Sequence, residues 1–289
     1  MSNSRREWTI STLLAWTGQY FRDKGVDNPR LDAEVLLCHV LGKDRLYLYV
    51  NFDQPLTDGE LASYRSLVKE RAQRLPVAYI IGRREFMGLS FAVDTAVLIP
   101  RPDTEILVEA ALARLQDSQA TEVLDLGTGS GAIIISILTR CPRARGVAVD
   151  IAADALTVAA ANAERHGVSD RLELYRGDLF GPVADKRFAA IMSNPPYIAE
   201  GDLAGLQPEV QFEPRLALAG GTDGLELYRR IIRQAPGYVK PGGFVALEAG
   251  AGQAARIAAL ADEGRFFTLE DIISDYGGIQ RVVVLRAPG

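Results

Sequence analysis

The sequence predicts an α/β fold, a mainly parallel sheet with helices between its strands, preceded by a small helical bundle. Three observations carry this. From Glu122 onward, short apolar strands alternate with helical segments, as in a sheet built from crossover units. The run Val123-Leu124-Asp125-Leu126-Gly127-Thr128-Gly129-Ser130-Gly131 has the strand, glycine loop and helix of a nucleotide-binding crossover. Ser193-Asn194-Pro195-Pro196-Tyr197 follows the apolar run Phe188-Ala189-Ala190-Ile191-Met192 and stops it, because two successive prolines lack N–H groups and fix φ.

The first part of the chain reads as three helices. Residues 9 to about 23 place Ile10, Leu13, Leu14 and Phe21 at helical spacing, and Gly25 ends the segment. Asn28-Pro29 opens a second helix, with Leu31, Val35, Leu36 and Val40 as its apolar stripe before Gly42. Thr57 and Glu60 have capping-box spacing for a third, whose face carries Leu61, Tyr64, Leu67 and Val68 until Pro76. No catalytic constellation is visible there, so residues 1–76 are expected to form a helical substrate-recognition domain. Residues 77–102 are expected to be a β-hairpin linker: two short strands within 85–93 turn near Gly88, and Val97-Leu98-Ile99 reads as another extended run. Pro100-Arg101-Pro102-Asp103-Thr104-Glu105 gives a rigid entry to a helix through about Leu115, capped by Thr104 or Asp103.

Residues 103–289 carry the sheet. Strands are expected at 122–125, 146–149, 171–175, 187–193, 244–248, 266–273 and 280–285, the last two joined as an antiparallel hairpin by Tyr276-Gly277-Gly278. Helices are expected at 132–139, 154–166, 225–235 and 253–261, with a loop from Tyr197 to about Gly221. Every candidate functional residue then sits just after a strand, and ligands of open α/β sheets bind at those carboxyl ends.

At 289 residues, 48% of them hydrophobic, the chain is long enough to bury a sizeable core and to form two domains. Wholly apolar runs such as Ala132-Ile133-Ile134-Ile135 fall far short of the ~20 residues of a membrane helix. Met1-Ser2-Asn3-Ser4-Arg5-Arg6-Glu7 lacks a signal-peptide apolar region, so a cytoplasmic protein without membrane contact is expected. Cys38, Cys141, His39 and His166 lack metal-ligand spacing, and no metal site is expected. A net charge of −5 argues against a generic polyanion binder, whose affinity comes from neutralised phosphates. Lys69, Arg71 and Arg74 are the nearest thing to a basic face, and a solvated helix face is the commoner origin of such a cluster.

A residue before proline is pushed out of the α region, which leaves Asn194 and Pro195 extended at a strand end. The Asn194 side-chain oxygen and the Pro195 carbonyl can then face one small donor such as an NH2 group, and Tyr197 offers a flat surface for a planar group. On Asn-Pro-Pro alone a strand-ending turn is the favoured reading, and the upstream glycine stretch shifts it toward a site. Gly127, Gly129 and Gly131 let the backbone turn and a ligand approach it. Asp150, about 20 residues on, has the position from which an acid holds ribose hydroxyls, although the spacing is G-x-G-x-G rather than the dinucleotide G-x-G-x-x-G. Asp178 can accept from an adenine amino group or be a solvent-facing loop acid.

The glycine loop, Asp150, Asp178-Leu179 and Asn194-Pro195-Pro196-Tyr197 together resemble a class I S-adenosylmethionine methyltransferase acting on amino groups. With Glu85-Phe86-Met87-Gly88-Leu89 and Ile99-Pro100-Arg101-Pro102-Asp103-Thr104-Glu105, nearly the whole chain resembles the HemK-type glutamine methyltransferases that modify peptide chain release factors. The linker motif is the more specific part, since Asn-Pro-Pro-Tyr is shared with DNA and RNA amino-methyltransferases. The resemblance implies a Rossmann-like seven-stranded sheet with a small N-terminal helical bundle and a hairpin linker. It implies that Gly127, Thr128, Gly129, Ser130 and Gly131 flank the methionine part of S-adenosylmethionine, that Asp150 holds its ribose, and that Asp178 and Leu179 receive its adenine. Asn194, Pro195, Pro196 and Tyr197 would hold the target amide, with release factors as substrates and no sequence-specific nucleic-acid binding. No side-chain nucleophile or metal is called for, no general base is evident in the sequence, and Leu247-Glu248-Ala249-Gly250 is given no role.

Three alternatives stay open. The same rim would serve an exocyclic amine of adenine or guanine in DNA or RNA. A non-catalytic module holding cofactor or partner is disfavoured by the intact Asn194, and a dehydrogenase by the glycine spacing.

Overall fold

The computed structural model describes residues 8–115 and 121–289; the segment 1–7, read above for a leader, lies outside the described residues. The chain divides into two compact units, one running to Gly82 together with Pro208–Phe212, the other Arg83–Gln207 with Glu213–Gly289.

The first unit holds α1 (Ile10–Asp23), α2 (Pro29–Leu41), α3 (Arg45–Val50), α4 (Asp58–Ala72) and α5 (Val77–Ile81). Thr57 and Glu60 make the reciprocal capping box that starts α4, as their spacing predicts. Pro29 is the first residue of α2, and Gly42, in the left-handed region, ends it. Helices α3 and α5 have no counterpart in the sequence reading, because six and five residues span too little of the helical period to show it. The buried face of α2 is Ala33, Glu34, Leu36 and Leu37, and Leu31 is exposed, so the apolar stripe is turned from the expected line. Glu34 tolerates burial because Arg30, Arg45 and Tyr49 hydrogen-bond its carboxylate at 2.5, 2.7 and 3.0 Å. The cluster Lys69, Arg71 and Arg74 is neither a basic patch nor a solvated face. Arg71 is buried between Asp32 at 2.7 Å and Glu209 at 2.8 Å, Arg74 pairs with Glu209 at 2.6 Å, and Lys69 alone is exposed.

The second unit opens with the hairpin of β1 (Arg83–Phe86) and β2 (Leu89–Ala92), turning through Met87 and Gly88. Val97-Leu98-Ile99 forms no strand; the Ile99 amide donates to Glu213 Oε2 at 3.2 Å instead of to a ladder. Helix α6 (Asp103–Leu112) begins after Pro102 with no side-chain cap, contrary to the cap expected from Asp103 or Thr104. Both lie inside the first turn, where Asp103 pairs with Arg281 at 2.9 Å. Then come β3 (Glu122–Leu126), α7 (Ala132–Arg140), β4 (Arg145–Asp150), α8 (Ala153–Arg165), β5 (Leu172–Arg176), β6 (Phe188–Ser193), α9 (Glu226–Gln234), β7 (Val239–Glu248), α10 (Ala254–Gly264), β8 (Thr268–Ser274) and β9 (Gln280–Arg286). Strand β7 starts earlier than expected, since Pro241-Gly242-Gly243 reads as a turn.

The seven strands lie in the order β5-β4-β3-β6-β7-β9-β8, parallel through β7, with β9 antiparallel to both β7 and β8. Side chains alternate between two cores. Val123, Ala190, Met192 and Val284 pack on one face with Leu107 and Ile134, while Leu124, Leu126, Val245 and Leu247 pack on the other with Tyr228 and Ile257. No helix among the described residues is long and apolar enough to cross a membrane.

Candidate active site

Parallel register brings the loop residues together. Leu126 is paired with Val149 on one side and with Ser193 on the other, and Ser193 is paired with Leu247. The next residues along, Gly127, Asp150, Asn194 and Glu248, therefore stand side by side at the carboxyl edge of the sheet. Chain order reverses between β3 and β6, the switch point at which open α/β sheets bind ligands.

A cavity of about 290 Å³ opens at this edge, with Gly127, Gly129, Asp150, Asp178, Leu179 and Asn194 among its walls. Gly127 and Gly129 have φ of +71° and +54°, and a Cβ on either would meet nothing within 4 Å, so the space beside them is open to a ligand. Asp150 Oδ2 accepts from the Gly129 amide and Oδ1 from the Ala152 amide, both at 2.9 Å. The carboxylate is thus held rigidly, with further lone pairs to offer hydroxyl donors. Thr128, Ser130 and Gly131 shape the loop without lining the cavity. Thr128 Oγ1 donates to Asp125 Oδ2 at 2.7 Å, the buried Ser130 accepts at its carbonyl from Asn162 Nδ2 at 2.9 Å, and a Cβ on Gly131 would strike Ile135 at 2.7 Å. Burial, with Asp150 nearby, pushes the Asp125 carboxyl up to about 7.

Asp178 is exposed and pairs with Arg230 at 2.5 Å, so one of its oxygens is already engaged. Leu179 is buried at φ +48° and walls the cavity beside it. Asn194 and Pro196 reach the cavity, whereas Pro195 and Tyr197 are not among the residues lining it. Among the described residues nothing donates to the Pro195 carbonyl. The Tyr197 carbonyl accepts from Gln253 Nε2 at 3.0 Å, and burial raises the pKa of its phenol.

Several site residues escaped sequence reasoning. Arg230 and Leu227 come from α9, while Pro214, Leu216 and Ala217 come from the stretch read only as loop. Ile151, half exposed directly after Asp150, was a visible signal: an apolar side chain left beside a strand-end acid. Glu248 and Thr104 are buried; Thr104 Oγ1 accepts from Asn194 Nδ2, and Glu248 ends the strand paired with the one that Asn194 follows. The sequence signal for Glu248 was an acid closing the apolar run Phe244-Val245-Ala246-Leu247.

A seven-stranded sheet with an antiparallel final pair, a glycine loop at the switch point and an acid ending the next strand define the class I methyltransferases. The fold is shared with a methyltransferase from Pyrococcus furiosus, with a TM-score of 0.52 at 19% identity over 70% of this chain and 90% of that one. The PrmC N-terminal domain model matches residues 12–82 and the methyltransferase small domain model residues 102–206. A release factor glutamine methyltransferase of Geobacter sulfurreducens is 48% identical over 98% of both chains. One from Chlorobaculum tepidum is 43% identical over 95% of this chain and 96% of its own. The chain belongs to the release factor glutamine methyltransferase family.

Proposed function

We propose that the chain transfers a methyl group from S-adenosylmethionine to the side-chain amide nitrogen, N5, of a glutamine in peptide chain release factors. It thereby acts in translation termination, in the cytoplasm, without sequence-specific contact to nucleic acid. The observation that carries this reading is that Asn194 borders the same cavity as Gly127, Gly129 and Asp150. The residues fit the cofactor: open space beside Gly127 and Gly129 takes the methionine portion, Asp150 accepts from ribose hydroxyls, and Asp178 and Leu179 receive adenine. When bound, S-adenosylmethionine supplies an electrophilic methyl on a sulfonium.

The chain's own residues must make the acceptor reactive. An amide nitrogen is a poor nucleophile because its lone pair is delocalised into the carbonyl. Asn194 Oδ1 and the Pro195 carbonyl accept from its two hydrogens, favouring a pyramidal nitrogen and the positive charge that grows there. Pro196 and Tyr197 hold the amide plane. In-line positioning contributes ~7 kcal/mol of barrier lowering in favourable cases, and the proton leaves to water. Residues 1–76 would recognise the release factor, 77–102 link, and 103–289 carry the chemistry.

The test is transfer of labelled methyl to a release factor and to its Gln→Ala variant, with DNA and ribosomal RNA in parallel. Label in the release factor alone, lost in the variant, supports the reading. Equal labelling of both proteins, or a nucleic-acid product beside unlabelled protein, overturns it.

A further inference from the structure

Behind Asn194 stands a carboxyl that amide binding does not itself require. Glu248 ends β7, one residue past the register partner of Ser193, and is 2% exposed. Asn194 Nδ2 donates to Thr104 Oγ1, in the first turn of α6, at 3.2 Å, and both side chains stand near enough to the Glu248 carboxyl to favour its charged form. Among the described residues Glu248 Oε2 has no hydrogen-bond partner. A buried acid with one oxygen unsatisfied is a costly way to fill space that an apolar side chain would fill better.

We propose that Glu248, through Thr104, is a positioning residue for methyl transfer, holding the Asn194 amide with Nδ2 inward and Oδ1 toward the target nitrogen. This rests on Asn194 being the acceptor for that nitrogen. A carboxylate only accepts, so the end of Asn194 that faces it must be the donor end. Thr104 links the two: it accepts from Nδ2, which leaves its own hydroxyl proton to be turned toward the nearby Glu248 carboxyl. Negative charge behind these bonds polarises Asn194 and strengthens its oxygen as an acceptor when the substrate nitrogen becomes positive. A protonated Glu248 instead presents a donor that competes for Oδ1. The groups facing it come from four other elements: Asp103 on α6, Arg281 on β9, Tyr197 after β6 and Tyr228 on α9. Tyr228 donates to the Glu248 main-chain carbonyl at 2.7 Å. Burial outweighs Arg281 and pushes the Glu248 carboxyl up to about 7, so the arrangement switches near neutral pH.

The experiment is single-turnover methyl transfer to a release factor, from about pH 6 to about pH 9, with calorimetric S-adenosylmethionine affinity, for the full-length protein and its variants. The wild-type rate should fall below about pH 7. Glu248→Gln should lose that acid limb and about 10-fold or more in kcat, while cofactor Kd and release-factor KM move by less than about threefold. Thr104→Ser should retain most of what the isosteric Thr104→Val loses. A Glu248→Gln enzyme with the wild-type rate and acid limb overturns the proposal, as does a fall in cofactor affinity that parallels the fall in rate. Should Glu248→Gln fail to fold, equal rates for the two Thr104 variants overturn it. Normal turnover in Asn194→Ala would defeat the underlying reading, whereas an inactive Asn194→Ala beside a fully active Glu248→Gln defeats only the positioning role.

Discussion

Ser193 on β6 and Leu126 on β3 are register partners, and the Ser193 hydroxyl donates to the Leu126 carbonyl at 2.7 Å in a buried setting. The bond ties together the last residues of the two strands whose loops carry Asn194 and the glycines. Ser193→Ala removes it with little change of shape and should lower stability by about 1 kcal/mol. The urea midpoint reads that loss, and methyl transfer should fall with it because Asn194 is the next residue.

Asp150→Ala should weaken S-adenosylmethionine binding by about 1.5–3 kcal/mol, the worth of a charge-assisted hydrogen bond. The rate at saturating cofactor should change much less, since the ribose is remote from the reacting methyl. Calorimetry separates the two, and an unchanged dissociation constant removes Asp150 from the site.

Gly129→Ala should act on binding more than on folding. At φ +54° an alanine costs roughly 1–2 kcal/mol, and its methyl would project into otherwise open space beside the loop. Cofactor affinity should drop well beyond that strain, and an affinity equal to wild type would show that the cofactor does not lie against Gly129.

What was legible followed from local rules. The seven strands, their hairpin and the residues at their carboxyl ends could be read because alternation and Gly/Pro punctuation act over a few residues. The Thr57–Glu60 box and the turn at Gly88 belong to the same class. What escaped depends on partners distant in sequence. Arg71 looked like surface charge until Asp32 and Glu209 enclosed it. Thr104 looked like a helix cap, and Glu248 like a strand end, until the β6–β7 register set Glu248 beside Asn194.

Asp125 gives a stability signature. Its folded value of about 7 lies above the ordinary 3.8, so between those values the unfolded chain has released a proton that the native state keeps. Stability from this group is therefore full below the lower value and lost as pH rises toward the upper one, by up to about 1.4 kcal/mol per unit. Urea unfolding of wild type and Asp125→Asn at about pH 4.5 and about pH 7.5 should show the difference shifting in favour of the variant at the higher pH. A difference that does not change with pH contradicts it.

The most direct test is the single-turnover rate of Asn194→Ala at saturating S-adenosylmethionine and release factor, read beside calorimetric cofactor affinity. Loss of an acceptor that strengthens only as the substrate nitrogen becomes positive falls on the transition state, so the rate should drop about 100-fold or more while cofactor affinity changes little. Near-normal turnover in Asn194→Ala would contradict the account and leave Asn-Pro-Pro-Tyr as a turn that ends a strand.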